Sequence, residues 1–290
     1  MSRASSSVRK FAGRVYNAAA EDNVFFLASG VTFSILLAAI PFLLLLVSLP
    51  TQIVAGQDIE RFQTEALETL WRILPIAAPD VRAGLERELR TIVGSAGSIG
   101  VVSAVLFVWL STRLFGSLRS ALSTVFDIED DHGIIRGKMI DVQLVLVSTL
   151  LLVINIAATI YLEVHGTEWL DNIGVPIGAL PRFTAAATGF LTVFVMFLLI
   201  YKYVPARGLK WRTAGVAATF AALAFELLKH AFSWYIVNYG NYTSIFFAFA
   251  TVVILTLGVY YASVLFMIGG EVAQAYEVHR VVQTQRETFD

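Results

Sequence analysis

Six long runs of hydrophobic residues, separated by short polar segments, divide the chain. A helix needs roughly 20 apolar residues to cross about 30 Å of hydrocarbon. The runs that reach this length span 24–55, 99–126, 139–163, 183–204, 213–237 and 245–275. This pattern predicts an all-α, polytopic membrane protein with six transmembrane helices.

Basic residues are unevenly distributed among the polar segments. They are concentrated in the N-terminal arm, in the second and fourth connections and in the tail. The third connection has only Arg182, and the turn at 238–242 carries no charge. Because basic segments are retained on the cytoplasmic side, we predict that both termini are cytoplasmic, which an even number of spans allows.

Two segments outside the runs have apolar residues at helical spacing. The first outer loop, 56–94, carries two such stretches, which predict amphipathic helices over the outer face. In the N-terminal arm, Val8, Phe11 and Val15 form an apolar stripe between basic residues. A helix lying on the anionic inner leaflet fits that pattern.

The predicted organisation follows from these segments. A cytoplasmic amphipathic arm spans 1–23, a six-helix transmembrane domain spans 24–275, and a cytoplasmic tail spans 276–290. The chain shows no internal repeat and no linker long enough to divide it into two domains.

The composition supports a membrane protein and argues against a soluble domain, a nucleic-acid-binding protein and cysteine chemistry. The chain is 57% hydrophobic and 15% charged, whereas a soluble domain is about 25% charged. The net charge of −1 argues against a nucleic-acid partner, since such proteins present a basic face. The absence of cysteine excludes disulfides, thiolate metal sites and cysteine nucleophiles.

Charged residues inside the fifth run are candidates for a functional site. Glu226, Lys229 and His230 lie in a run where a charge at the bilayer centre costs about 2.5–3.5 kcal/mol. Glu226 and His230 continue a face of small and polar residues at helical spacing, with Gly215, Thr219, Ala222 and Ser233. We expect this face to point inward, into a helix seam or a cavity. Its charged residues then either line a substrate path or link helices.

Asn155 in the third run extends this hypothesis to a second helix. It lies roughly 25 Å beyond Lys138, and Glu226 lies roughly 21 Å beyond Arg212, if each residue rises about 1.5 Å. The similar depths allow a contact between Asn155 and Glu226 along a polar path.

Arg113 in the second run and Glu271 in the sixth run are predicted to lie near the same side of the membrane. Two interpretations are open. The two side chains form an ion pair that locks two helices together, or Arg113 holds the headgroup of a ligand.

Enzyme motifs are missing from the chain. It contains no Walker A sequence, no HExxH zinc motif and no GxSxG nucleophile elbow. A nuclease needs clustered carboxylates for metal ions or a histidine pair, and the acidic run at 127–132 fits a solvated turn better. We expect no enzymatic activity, no metal site and no cofactor.

Four stretches together carry a family resemblance. They are LASGVTFSILLAAIPFLLLLVS, VWLSTRLFGSLRSALSTVFDI, YKYVP followed by KWRTAGVAATFAALAFELLKHAFSWYI, and YGNYTSIFFAFATVVILTLGVYYASVLFMIGGEVA. In this combination the chain resembles the YihY / virulence factor BrkB family over 11–275. The resemblance implies six spans in the bacterial inner membrane. Members have carried a ribonuclease label, and the missing nuclease motifs argue against that activity here.

Some members of this family are associated with envelope integrity, serum resistance and the traffic of lipopolysaccharide precursors or phospholipids. The resemblance therefore favours a lipid-handling role. Together with the polar residues inside the runs, it leads us to expect translocation or export of a lipid or other amphiphile, with Arg113 at the headgroup, Asn155 and Glu226 along the path, and membrane lipids as partners. One alternative is a non-transporting scaffold that binds a periplasmic envelope-assembly protein through 56–94. Another is a proton-coupled small-solute carrier with Glu226 and His230 as the relay. The sequence leaves the oligomeric state open.

Overall fold

The structure is a computed structural model, and its backbone describes residues 2–53, 96–128, 137, 139–143, 145–147, 150, 180–205, 207–239 and 244–289. Within these ranges the chain forms helices and their connections, and no strand. The long helices are α1 (Ser2–Glu21), α2 (Val24–Ile53), α3 (Ala96–Val125), α4 (Leu180–Tyr203), α5 (Trp211–Tyr239) and α6 (Ser244–Phe289).

Five of the six hydrophobic runs coincide with these helices. α2, α3, α4 and α5 cover the first, second, fourth and fifth runs, and α6 covers the sixth and continues through most of the predicted tail. Short helical pieces at 137–150 mark the beginning of the third run. Most of that run, with Asn155, and the outer loop at 56–94 lie outside the described residues.

Two helical segments are long and apolar enough to cross a membrane, namely Trp211–Phe232 and Val252–Val278. A third candidate consists of Phe11–Glu21 and Val24–Ala39, which meet at an angle of 63°. Gly189–Tyr203 is a shorter apolar helix. The described part of the chain therefore contains two or three candidate spans, whereas the number six and the cytoplasmic location of the termini stay predictions.

The N-terminal arm forms the predicted amphipathic helix, α1. Phe11 and Val15 are partly buried, whereas Arg9 and Arg14 are exposed. α1 ends at Glu21, and Asn23 adopts a φ of 51°, a left-handed conformation that asparagine tolerates better than most residues. The sharp bend between α1 and α2 therefore lies at this junction.

The described chain forms two compact units. Unit 1 comprises Met1–Ala28, Phe115–Leu227 and Val264–Asp290, and unit 2 comprises Ser29–Leu114 and Leu228–Ser263. The one-domain division of the membrane region at 24–275 was based on run lengths alone and stays a prediction.

Small residues form the centre of unit 1. One face of α5 is fully buried and consists of alanines, with at most 1% of each exposed: Ala214, Ala217, Ala218, Ala221 and Ala222. Small side chains let membrane helices approach closely, so that dispersion contacts between their backbones hold them together.

Two consecutive glycines of α6 complete this packing. A Cβ atom at Gly269 would stand 3.1 Å from the carbonyl oxygen of Ala217 and 2.6 Å from the hydroxyl oxygen of Tyr201. At Gly270 it would stand 2.8 Å from a methyl carbon of Val125. The glycines therefore allow α6 to lie directly against α5 on one side and α3 on the other.

In the described part of unit 2, hydroxyl and ring contacts connect α2, α5 and α6. The Thr32 hydroxyl of α2 donates to the Ser263 hydroxyl of α6 at 3.2 Å, and Ser263 donates to the Val259 carbonyl at 2.9 Å. The Phe232 ring of α5 packs over Gly258, where a Cβ would be 3.1 Å from the ring. These contacts tie α2 and α5 to the same half of α6.

Candidate functional site

Polar contacts gather at one end of unit 1. The Gln274 amide of α6 donates to Asp127 after α3 at 2.8 Å. One turn further along α6, Glu277 accepts from Lys210 and from the Thr213 hydroxyl of α5, each at 3.1 Å. This end therefore unites the connection after α3, the start of α5 and the second half of α6. The side of the membrane on which it lies stays a prediction.

Arg119 is a buried ion-pair residue at this end. Its guanidinium pairs with Asp141, and the two residues are 8% and 5% exposed. It also donates to the carbonyl oxygens of Val204 at 3.3 Å and Gly137 at 3.1 Å. One side chain thus ties α3 to the end of α4 and to the segment at 137–141. Sequence reasoning assigned Arg119 no role, although its place inside a hydrophobic run was an available signal.

Glu271 is a buried carboxylate for which the described residues of unit 1 show no ion pair. It is 0% exposed, and neither of its carboxylate oxygens has a hydrogen-bond partner in the described part of the chain. The charged groups that act on it are Asp22, at the α1–α2 junction, and Asp127. Burial raises the pKa of the Asp22 carboxyl, as do the charges of Asp127 and Glu21, while the closeness of the Glu271 carboxyl acts in the other direction. The arrangement is therefore an acidic pair.

Arg113 lies in unit 2, on the exposed surface of α3. Its guanidinium carbon is 6.0 Å from the centroid of the Trp109 ring, a cation–π distance. The ion pair between Arg113 and Glu271 would join the two units and stays a prediction. Within unit 1, Glu271 is met by acids.

The charged residues of α5 differ in exposure. Glu226 is partly buried, whereas Lys229 and His230 are exposed. Thr219, which shares the predicted inward face, is also exposed, because the alanine face described above occupies the helix contact. Ala222 of the same predicted face is buried, and the choice between a helix seam and a cavity for this face stays a prediction.

Exposed apolar side chains accompany these charges. Leu227 and Trp234 on α5 are 72% and 61% exposed, as expected for a helix that faces lipid. Val105 and Trp109 beside Arg113 are 65% and 55% exposed. The charged side chains therefore project from apolar surfaces rather than from a polar exterior.

Metal ligands do not cluster in the ranges that the structure describes. No group of three or more histidine, aspartate or glutamate side chains there is placed to hold a metal ion. The acidic pair and Asp127 therefore do not form a metal site of ordinary geometry.

The long apolar helices define this chain as an integral membrane protein. The family can be named as well: the sequence profile described as virulence factor BrkB matches residues 15–288. The chain therefore belongs to the BrkB family, as its resemblance implied.

Named relatives are membrane proteins. A UPF0761 membrane protein of Idiomarina loihiensis is 28% identical over 202 residues, which cover 69% of each chain. A UPF0761 membrane protein of Legionella pneumophila is 22% identical over 262 residues, 89% of this chain and 60% of the relative. One from Bordetella petrii is 24% identical over 276 residues, 93% of this chain and 58% of the relative. No solved structure matches the chain.

Proposed function

We propose that the protein translocates a lipid, or another amphiphile with an anionic headgroup, within or across the bacterial inner membrane, without a catalytic step of its own. The observation that supports this most directly is the exposed side chain of Arg113 on α3, the helix of the second hydrophobic run. Membership in a family of membrane proteins is consistent with such a role.

The position of Arg113 along α3 makes its exposure costly. Arg113 lies 17 residues after Ala96 and 12 before Val125, so roughly 26 Å and 18 Å of helix lie on either side. A charge at such depth costs about 2.5–3.5 kcal/mol unless water or a polar ligand meets it. A phosphate headgroup supplies that contact, because arginine binds phosphate through two parallel charge-assisted hydrogen bonds.

The surroundings of Arg113 suit the rest of an amphiphile. Val105, Leu106 and Trp109 are exposed on the same helix. Acyl chains can remain against this apolar surface while the headgroup contacts the guanidinium. A small polar solute gains nothing from such a surface, so these side chains favour an amphiphile.

A second basic position lies near one end of the fifth run. Lys229 and His230 stand two to three residues before the end of the segment Trp211–Phe232, where long basic side chains reach the headgroup region. A headgroup that leaves Arg113 can be received there. Glu226, one turn earlier, and Asn155 are the proposed polar groups along the way.

The test is a flipping assay in proteoliposomes with a fluorescent phosphatidylglycerol, in which a membrane-impermeant reductant bleaches only the outer leaflet. We expect the protein to accelerate loss of the protected fluorescence. Arg113→Gln should slow it about tenfold or more, since a hydrogen bond to a charged group is worth about 1.5–3 kcal/mol. Arg207→Gln, at an exposed residue between α4 and α5, is the matched control and should keep the wild-type rate.

Equal bleaching rates with and without protein contradict the proposal. That outcome favours the scaffold that binds an envelope-assembly protein through 56–94. An equal loss in the Arg113 and Arg207 variants also contradicts the role of Arg113, because it indicates a general effect of removing positive charge.

A further inference from the structure

The burial of Glu271 is imposed by the packing of α6. The two preceding residues, Gly269 and Gly270, lie against α5 and α3, and the Glu271 side chain that follows them is 0% exposed. No donor reaches either Glu271 oxygen in the described residues. An ionised carboxylate without partners in such a place costs several kcal/mol, so the unpaired anion is the least favourable state.

Among the residues that the structure describes, the charged groups that act on Glu271 are acids. Asp22 approaches from the α1–α2 junction, with Glu21 beside it, and Asp127 approaches from the end of α3. On α6 itself, the neutral Gln274 is bonded to Asp127, and Glu277 is occupied by Lys210 and Thr213. Two adjacent carboxyl groups avoid mutual repulsion when one keeps its proton and donates it to the other.

We infer that Asp22 and Glu271 form a proton-binding site, in which one shared proton holds the α1–α2 junction against α6. The ligand is a single proton, exchanged with water or buffer. The site is independent of the proposed translocation, since it involves neither Arg113 nor the charged residues of α5.

The junction itself is a place where such a contact matters. α1 and α2 meet at 63°, and Asn23, in a left-handed conformation, accepts from the amides of Phe26 and Leu27 at 2.8 and 3.1 Å. The helical hydrogen-bond ladder is therefore interrupted next to Asp22. Loss of the shared proton leaves two negative charges facing each other and releases the junction, together with the amphipathic α1, from α6.

Infrared difference spectroscopy of the full chain in lipid nanodiscs tests the site directly. A protonated carboxyl has a C=O stretch distinct from that of a carboxylate. We expect the wild-type protein to keep one such band at about pH 6, roughly two units above ordinary carboxyl values, and to lose it as the pH rises further. Glu271→Gln should abolish the band, because it removes one carboxyl group of the pair and leaves an amide that donates to the ionised Asp22 carboxylate.

Two further variants distinguish the Asp22–Glu271 pair from the other carboxyl groups of the chain. Asp22→Asn should move the band to lower pH, because its amide donates to an ionised Glu271 and removes the neighbouring charge. Glu277→Gln is the matched control on the same helix, and it should keep the wild-type band, since Glu277 is paired with Lys210.

A spin label measures the proposed release. The chain has no cysteine, so Arg14→Cys provides a unique attachment point on the exposed face of α1. The mobility of this label should increase as the infrared band disappears in the wild-type background. In the Glu271→Gln background the mobility should not change over the same pH range.

Several results would overturn the inference. The site is not a proton site if the wild-type protein shows no protonated carboxyl at about pH 6, or if the band survives Glu271→Gln. It is a cation site instead if Na⁺ or Mg²⁺ raises the thermal midpoint at constant pH while no such band exists. If the band is absent in the wild type and emerges in Arg113→Gln, Glu271 is paired with Arg113 and the inference is wrong.

Discussion

Asp141 and Glu271 are both buried acids of unit 1, and they differ in the group that meets them. Asp141 is paired with Arg119, which also donates to two backbone carbonyls. Glu271 faces Asp22 and has no donor on either oxygen in the described residues. The comparison teaches that burial of an acid in a membrane helix does not define its role. An opposite charge makes a permanent link, whereas a like charge makes a link that depends on a proton.

Breaking the Arg119–Asp141 pair should have the largest effect. Arg119→Met removes the guanidinium that meets the buried Asp141 carboxylate, and we expect a loss of about 3–5 kcal/mol in unfolding free energy. Denaturant unfolding in micelles, followed by helical circular dichroism, measures it. Arg207→Met is the control and should change stability by less than about 0.5 kcal/mol.

A double variant sharpens this result. Arg119→Met combined with Asp141→Leu removes both charges and should recover much of the loss, since apolar replacements of buried pairs are often neutral. If the single and double variants lose the same stability, the cost arises from the lost contacts of Arg119 to the backbone carbonyls rather than from the buried Asp141 carboxylate.

A substitution in α6 tests the close helix packing next to Glu271. Gly269→Ala places a methyl group 2.6 Å from the Tyr201 hydroxyl oxygen and 3.1 Å from the Ala217 carbonyl oxygen, so Tyr201 or the contact between α6 and α5 must shift. We expect a loss of about 1–3 kcal/mol in the same unfolding assay. Gly215→Ala is the control, because nothing lies within 4 Å of the added methyl group, and it should be neutral or slightly stabilising. Equal losses would refute the close approach.

The stability of the fold should depend on pH through Asp22, the acid that faces Glu271. The pKa of Asp22 is raised above its ordinary value of 3.8, chiefly by burial, so the folded chain holds this proton more tightly than the unfolded chain. The stabilisation is complete below the ordinary pKa of Asp22, and it is lost as the pH rises through the raised pKa of Asp22 in the folded chain. Thermal midpoints should therefore fall as the pH rises and Asp22 loses its proton.

The Asp22→Asn variant provides the comparison for that measurement. It removes the titrating group, so the part of the slope that Asp22 contributes should disappear. A slope identical to that of the wild type would assign the pH dependence to other carboxyl groups.

The smallest effect should come from an acid that is paired but not buried. Glu277 meets Lys210, whose side chain is 71% exposed. Glu277→Gln should therefore cost at most about 1 kcal/mol, and the loss should shrink in high salt. A loss as large as that of Arg119→Met would show that burial is not what distinguishes these pairs.

Most helices could be predicted from hydrophobic runs. The expected segments 99–126, 183–204 and 213–237 begin and end within three residues of α3, α4 and α5. The physical reason is local, because a backbone that crosses lipid must satisfy its hydrogen bonds within its own segment. α6 continues past its hydrophobic run, since helical continuity beyond the membrane does not require apolar residues.

The orientation of each helix was harder to predict. In α5 the face expected to point inward included Thr219, Ala222 and His230. Ala222 is buried, together with the alanines at 214, 217, 218 and 221, whereas Thr219 and His230 are exposed. Alanine is only weakly apolar, so a hydropathy pattern does not reveal that it is selected for close approach. Gly269 of α6 and the Tyr201 hydroxyl that it accommodates are far apart in the sequence, so their contact cannot be read from local spacing.

The order of residues alone therefore establishes the all-helical class, most helix positions and the family, because these depend on local composition and contiguous motifs. The partners of Arg119 and Glu271 required the folded chain. Arg119 meets Asp141 and Glu271 meets Asp22 only because separate helices bring particular faces together. Whether a buried charge locks the fold or binds a proton depends on those contacts, which sequence spacing does not encode.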